Sequence, residues 1–354
     1  QAPAAAPAGP LTVEDIWKSP SLSNITISRD GKYMAATAPM RGRMNLVVIP
    51  LEGTGAVALT GLEDYDVVNV RWVGSSRLVY SLGQANTPTG AGQGDGGGLY
   101  MVSRDGKDRR RISGTVREVL SEGRFVYRRY GYFRGIPGSE EEIIASGNMS
   151  SVDSTDLYRL NVVTGRATLM TSGRPSELAR SWILDKNLVP RVLTAGVKDK
   201  LTQVVWYRKD ADSPWVEIAR FEANKGPAFV PLGFESDQKT LKVATNAGRD
   251  TMAIFRFDPE QKKLGELIAQ HPRFDMGANA QGEPVPGVVT DPETDRILGY
   301  TVEAAKPEVV WLDDKRRALQ ASLDAFMPGR INRFSRTPDG KRWLVTSYSD
   351  QHPA

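Results

Sequence analysis

The residues able to carry chemistry are few. The 354-residue chain has 0 Cys and 2 His, which excludes thiolate catalysis, disulfides and the usual Cys/His zinc sites, and leaves only His271 or His352 for serine–histidine chemistry. Both histidines precede proline, which favours an extended or turn backbone at the residue before it. No G-x-S-x-G elbow occurs, since Gly74-Ser75-Ser76 lacks the second glycine, and there is no H-x-x-x-H pair and no acidic calcium loop. A formal G-x-G-x-x-G at Gly92, Gly94 and Gly97 follows Pro88 and leads into an apolar strand, so it reads as a hairpin loop and not as a phosphate cradle opening a helix. The reading at this point is no catalytic residue, no metal site and no cofactor.

Two charged clusters remain. Arg104, Lys107, Arg109, Arg110 and Arg111 form a basic run, and Tyr127 to Arg134 interleaves aromatic rings with arginines. Nucleic-acid platforms combine these residue types. With 46 Lys plus Arg against 42 Asp plus Glu the net charge is only +4, so the expectation is no nucleic-acid partner; the first run is a solvated turn and the second lines a channel or packs. Glu140, Glu141 and Glu142 follow a Gly/Pro turn. Clustered carboxylates can capture a cationic amine or form a solvated loop.

The elements that must position these residues recur along the chain. A strand, a turn of Asp/Gly/Ser/Lys type and a return strand appear seven times: at 25–37, 70–82, 119–129, 181–193, 232–245, 287–301 and 334–347. From Asp30 to Asp339 six intervals span 309 residues, a mean of about 51 per repeat. Asp-Gly-Lys at 30–32, 105–107 and 339–341 supplies the glycine and short polar side chain of a tight turn. A second set of strand pairs alternates with the first, clearly at 98–112, 156–170, 203–219 and 253–268 and more weakly at 44–59 and 308–323. Residues 315–325 have helical propensity, but the repeat order assigns them to a strand.

Four short antiparallel strands per repeat predict an all-β, seven-bladed β-propeller with its last blade incomplete. The expected blades are about 25–60, 67–113, 117–171, 180–221, 228–270 and 285–326, with a half blade at 331–350, all within a propeller domain of 11–354. A half blade exposes unpaired backbone groups, so self-association through the open blade is expected. No run approaches the roughly 20 apolar residues of a spanning helix, so no membrane span is expected. Residues 1–10, QAPAAAPAGP, read as an Ala/Pro-rich leader of the kind left after signal cleavage, which predicts a periplasmic or secreted protein. One or two helical turns are expected over Thr12–Lys18.

The order of these segments is familiar. LTVEDIWKSPSLSNITISRDGKYMAA, GLYMVSRDGKDRRRI and RINRFSRTPDGKRWLVTSYSDQHP resemble the propeller of bacterial prolyl oligopeptidase family serine peptidases, in the dipeptidyl and acylaminoacyl peptidase branch, from Leu11 to Pro353. The resemblance implies a propeller that gates short peptides into an α/β-hydrolase domain carrying the Ser, Asp and His. The expectation is that this chain lacks that domain, which lies on another polypeptide or was lost by truncation or in a degenerate gene. The resemblance also implies Glu and Arg side chains at the substrate's amino terminus, for which Glu140, Glu141 and Glu142 with Arg128 and Arg129 are the candidates. The alternative is a stand-alone periplasmic interaction propeller similar to TolB-type scaffolds.

Overall fold

A computed structural model describes residues 20–84, 95–223, 225–278, 288–291, 296–304 and 306–349. The Ala/Pro leader, the helical turns expected at 12–18, Gly92, Gly94 and His352 lie outside the described residues.

Among the described residues seven antiparallel sheets follow one another along the chain. The first holds β1 (Ser23–Ile27), β2 (Tyr33–Met40), β3 (Arg43–Pro50) and β4 (Val57–Ala58). The second holds β5 (Asp66–Val73), β6 (Arg77–Gly83), β7 (Gly97–Ser103) and β8 (Arg109–Ser113). The third is β9 (Tyr130–Gly135), β10 (Glu142–Gly147), β11 (Asp156–Asn161) and β12 (Ala167–Leu169), and the fourth is β13 (Ala179–Leu184), β14 (Pro190–Gly196), β15 (Thr202–Tyr207) and β16 (Val216–Glu222). The fifth is β17 (Phe229–Phe234), β18 (Leu241–Thr245), β19 (Ala253–Asp258) and β20 (Lys263–Ala269). A three-stranded sheet of β21 (Val288–Thr290), β22 (Ile297–Glu303) and β23 (Pro307–Trp311) is the sixth, and a hairpin of β24 (Ile331–Arg336) and β25 (Trp343–Tyr348) the last. In each sheet the strand order is the chain order, as hairpin-linked short strands require. The fold is an all-β propeller with four-stranded antiparallel blades.

Three sequence expectations are corrected. The blades number six, not seven, because β24 and β25 form only a two-stranded hairpin. The segment expected to be the outer strand of the sixth blade is helix α2 (Asp314–Phe326). Asp313 caps α2 by accepting from the Arg316 amide at 3.0 Å, and the Ala/Leu/Arg/Gln composition that follows outweighs the repeat pattern. The hairpin expected at 119–129 is replaced by helix α1 (Val116–Ser121) and irregular chain. Here Thr115 and Glu118 form a reciprocal capping box: the Glu118 amide donates to Thr115 Oγ1 at 3.2 Å, and the Thr115 amide donates to Glu118 Oε2 at 2.7 Å.

The chain divides into two compact units. The first comprises residues 1–127, 138–141 and 162–165, and the second the remainder. In the first, Leu46, Val48, Val67, Val70, Leu78, Tyr80 and Tyr100 form a closed apolar core. Trp72 Nε1 donates to the Thr26 carbonyl at 3.3 Å, which pins β5 to β1. In the second, the core runs through Val205, Val230, Leu241, Val243, Ile254, Phe257 and Tyr300, and Trp182 Nε1 donates to the Thr155 carbonyl at 2.7 Å. Helix α2 buries no residue. It is held to the hairpin by polar groups: Asp324 Oδ1 accepts from Asn332 Nδ2 at 2.9 Å, and Gln320 Nε2 donates to the Asn332 carbonyl at 3.1 Å.

Short strands keep register through side chains at their turns. The sequence Ser/Thr-x-Asp-Gly-Lys occurs at 28–32, 103–107 and 337–341 with one bonding scheme. The hydroxyl donates to the aspartate at 2.5, 2.6 and 2.6 Å, and the lysine amide donates to the same carboxylate at 3.0, 3.2 and 3.1 Å. Gly31, Gly106 and Gly340 take φ of 67, 76 and 70°, where a Cβ would be strained. A second device closes the outer pair. In the first sheet Thr60 Oγ1 donates to Asn45 Oδ1 at 2.8 Å, and fifteen residues apart in the same way, Thr171 Oγ1 donates to Asp156 Oδ1 at 2.7 Å in the third. Asp156 is wholly buried, accepts also from the Ser150 hydroxyl, and lies 3.4 Å from Arg174 Nε. Among the described residues no helix is long and apolar enough to cross a membrane.

Two predictions follow from these turns and clasps. The Ser103 hydroxyl and Lys107 amide hold the Asp105 carboxyl below its usual range, and the Thr337 hydroxyl and Lys341 amide do the same for Asp339. A depressed carboxylate contributes stability above its unfolded pKa and loses it as pH falls through the folded one. Carboxyl carbon shifts in an acid titration should therefore show both groups titrating below about 3.9, the ordinary aspartate value; midpoints at or above it would remove the turn bonds. Thr171→Val leaves the buried Asp156 short of a donor and should cost about 1–3 kcal/mol in urea unfolding, with a loss under about 0.5 kcal/mol counting against the clasp.

Candidate functional site: a cationic pocket on the first strands of the second unit

In the second unit the first strands of successive blades converge on one cavity of about 450 Å³. Strand β9 contributes Phe133 and Arg134, and β13 with its turn contributes Trp182 to Leu184 and Lys186. Strand β17 and its turn supply Leu232 to Ser236 and Gln238, with Lys242 from β18; β21 adds Thr290, and β22 adds Ile297 with Arg296 just before it. Alternation along each strand turns one face to the core while these residues meet at the strand ends. The volume lies in the range of small-ligand sites, roughly 300–1,000 Å³.

The floor is an ion pair. Lys242 Nζ, with 6% of its side chain exposed, donates to Glu235 Oε2 at 2.8 Å, and Glu235 Oε1 accepts from Arg256 Nε at 3.3 Å. The bond to Glu235 raises the pKa of the Arg256 guanidinium, and the carboxylate is thus neutralised from two sides. Next to it, burial pushes the Tyr300 phenol up and the Glu235 charge adds to the shift; its buried hydroxyl has no hydrogen-bond partner among the described residues. At the rim Arg296 Nη2 bonds Asp313 Oδ2 at 2.6 Å. Four cationic side chains and one carboxylate line the pocket, and two of the cations are paired, Lys242 with Glu235 and Arg296 with Asp313.

The wall between the fourth and fifth blades is built by Gln238, which sits at φ 57°. Its amide donates to the Glu235 carbonyl at 3.0 Å, and its Nε2 donates to the same carbonyl at 2.9 Å. Its carbonyl accepts from Arg191 Nη1 at 2.6 Å, and its Oε1 accepts from the Lys186 amide at 2.8 Å. Every polar group of this residue is used, which sustains a left-handed conformation costly for a non-glycine residue. Asp185 Oδ1 accepts from the Asn187 and Val189 amides at 2.9 and 3.0 Å, so the turn that carries Lys186 is fixed on both sides.

The residues proposed from sequence divide between the units. In the first, the Glu140 carboxylate accepts from the Ser75 amide at 2.9 Å and the Ser76 hydroxyl at 2.8 Å. It lies where a Cβ on Gly74 would stand, and Gly74 has φ 60°. Glu141 pairs with Arg77 at 3.4 Å. In the second, Glu142 pairs with Arg159 at 2.7 Å, which lowers its pKa. Arg128 Nη1 donates to the carbonyls of Asn148, at 3.1 Å, and Met149, and the Arg129 amide donates to Asn148 Oδ1 at 2.8 Å. None of the five is among the pocket's lining residues. His271 Nδ1 accepts from the Arg273 and Phe274 amides at 3.2 and 3.1 Å, so its lone pair closes a turn. Of the basic run, Arg104 stacks over Tyr33 at 3.9 Å and Arg111 pairs with Glu122 at 2.6 Å. Among the described residues no group of three His, Cys, Asp or Glu could hold a metal ion.

Phe133 and Arg134 belong to the aromatic–arginine run that the sequence analysis expected to line a channel or pack, and both line this cavity. The other pocket residues escaped sequence reasoning because they are far apart in the chain and only packing joins their strands; their local signal was the position of Lys186 and Gln238 in corresponding inner-hairpin turns.

No family model matches the chain. It is 23% identical over 339 residues to dipeptidyl aminopeptidase BIII of Pseudoxanthomonas mexicana, a match covering 96% of this chain and 45% of the relative. The chain thus spans under half the length of that relative. Among solved structures, one from a structural and mechanistic study of two prolyl endopeptidases aligns at a TM-score of 0.48 with 9% identity, covering 92% of this chain and 49% of the other. A puromycin hydrolase aligns at 0.46 with 13% identity, covering 93% and 58%.

Removing one partner of a buried ion pair strands the other charge. Glu235→Ala should destabilise the chain by about 3 kcal/mol in urea unfolding, and Glu235→Leu combined with Lys242→Met should recover most of that loss. Equal losses in the single and double variants would show that the two side chains do not act as a pair.

Proposed function

We propose that this chain is the propeller portion of a serine peptidase, and that it admits short peptides to a catalytic hydrolase domain carried by another part of the protein or another polypeptide. The observation that carries this reading is the alignment with a dipeptidyl aminopeptidase along 96% of the chain, with less than half of that relative matched. The blades support the role, because first strands that converge on a pocket can meet a passing peptide, whereas the described histidine is spent on a turn. On this reading Arg128, Arg129, Glu140, Glu141 and Glu142 contact the amino-terminal end of the peptide, and the protein acts in the periplasm or outside the cell.

The test is direct. The purified 354-residue chain should neither take up a fluorophosphonate probe nor release nitroaniline from dipeptidyl nitroanilides, whereas the product of the complete gene should do both. Labelling of the 354-residue chain itself, or a complete product with no reactive serine, would overturn the proposal.

A further inference from the structure

We propose that the pocket of the second unit is a carboxylate site, which takes the carboxy-terminal end of a short peptide with an apolar or aromatic last side chain. The preference for a carboxylate is read from the pocket alone; the choice of a peptide as its source rests on the peptidase reading.

Three observations converge. The lining carries four cations and one carboxylate; Lys242 is paired with that carboxylate and Arg296 with Asp313, so the charge a ligand meets is that of Lys186. The Lys186 ammonium makes no hydrogen bond or ion pair among the described residues, although its backbone is fixed by the Gln238 side chain at 2.8 Å. The walls are Trp182, Phe133, Phe234 and Ile297, which exclude water from one side of the cavity and suit an apolar body. A cationic ligand would face uncompensated repulsion. A polyanion would have to be desolvated against apolar walls with a single unpaired ammonium to receive it. A monovalent carboxylate on an apolar side chain matches both features: one charge for Lys186, which forms a charge-assisted hydrogen bond, and a ring or aliphatic chain for the walls.

The site is distinct from the residues assigned to the amino-terminal end of the substrate, none of which lines the cavity. A peptide held at its carboxy end here would be selected for shortness, because a longer one would have to place a neutral amide where the carboxylate sits.

Isothermal titration of the purified chain tests the proposal, using Ala-Ala-Phe acid, its C-terminal amide, and phenylacetate. The acid should bind at least tenfold more tightly than the amide. Lys186→Met should abolish that ratio and leave amide binding unchanged, and Phe133→Ala, at a side chain already 37% exposed, should weaken acid and amide alike. Equal binding of acid and amide, no binding of either, or a ratio that survives in Lys186→Met would overturn the carboxylate site. Phenylacetate binding as tightly as the peptide acid would keep the carboxylate site and overturn the peptide as its source. These readouts need no turnover, so an acid preference in the chain together with an inactive complete gene product would separate failure of the peptidase reading from failure of the site.

Discussion

Strands this short cannot hold register by their own ladders, and the structure depends on side chains that take up backbone amides at the turns. In the Ser/Thr-x-Asp-Gly-Lys turns one carboxylate accepts from a hydroxyl and from the lysine amide, while the serine or threonine oxygen accepts from the next strand at 2.9 to 3.2 Å. The same motif serves the β1–β2 turn, the β7–β8 turn and the β24–β25 turn, so it belongs to the tight turn and not to one place in a blade. Because a one-residue slip would reverse every inward side chain, these local bonds decide which residues the core receives.

Between sheets, single polar groups take over. Trp72 and Trp182 each use an indole N–H to hold a first strand to the chain of the preceding blade. Gln238 spends all its polar atoms on the turns of the fourth and fifth blades, and Asn332 links helix α2 to the last hairpin. Such bonds are directional where apolar contact is not, and they set the positions of the strand ends that make the pocket. Lys242 is committed to Glu235, whereas Lys186, an exposed side chain among the lining residues, is unpaired among the described residues.

Much of the fold was legible. The hairpins at 25–37 and 334–347, and outer pairs such as 156–170, are β1–β2, β24–β25 and β11–β12, because alternation and turn chemistry are local; Asp-Gly-Lys marks the first two turns and Thr-Gly-Arg the third. The errors arose where the repeat pattern overrode local evidence. Thr115-Val-Arg-Glu118 is a capping box written in the sequence, yet the period of about 51 assigned a hairpin to the residues after it. Asp313 before a run of helix formers signalled α2 in the same way, and reading it would have left the sixth blade without its outer strand. For the site residues the limit is different. The clustering of Glu140, Glu141 and Glu142 is visible in the sequence, but that Glu140 is bonded to the Ser75–Ser76 turn, Glu141 to Arg77 and Glu142 to Arg159 depends on pairings 17 to 65 residues away.

By itself, then, the sequence determined the antiparallel hairpins, the turns that join them, and the lack of cysteine and near-lack of histidine, since each is a property of composition or of neighbours within some fifteen residues. Only the tertiary structure decided which polar side chains are spent on the scaffold and which face a cavity. The physical reason is that pairing a buried charge such as Lys242, and bringing Phe133, Lys186, Glu235 and Ile297 to one pocket, depends on how separate sheets pack, and no local pattern encodes that.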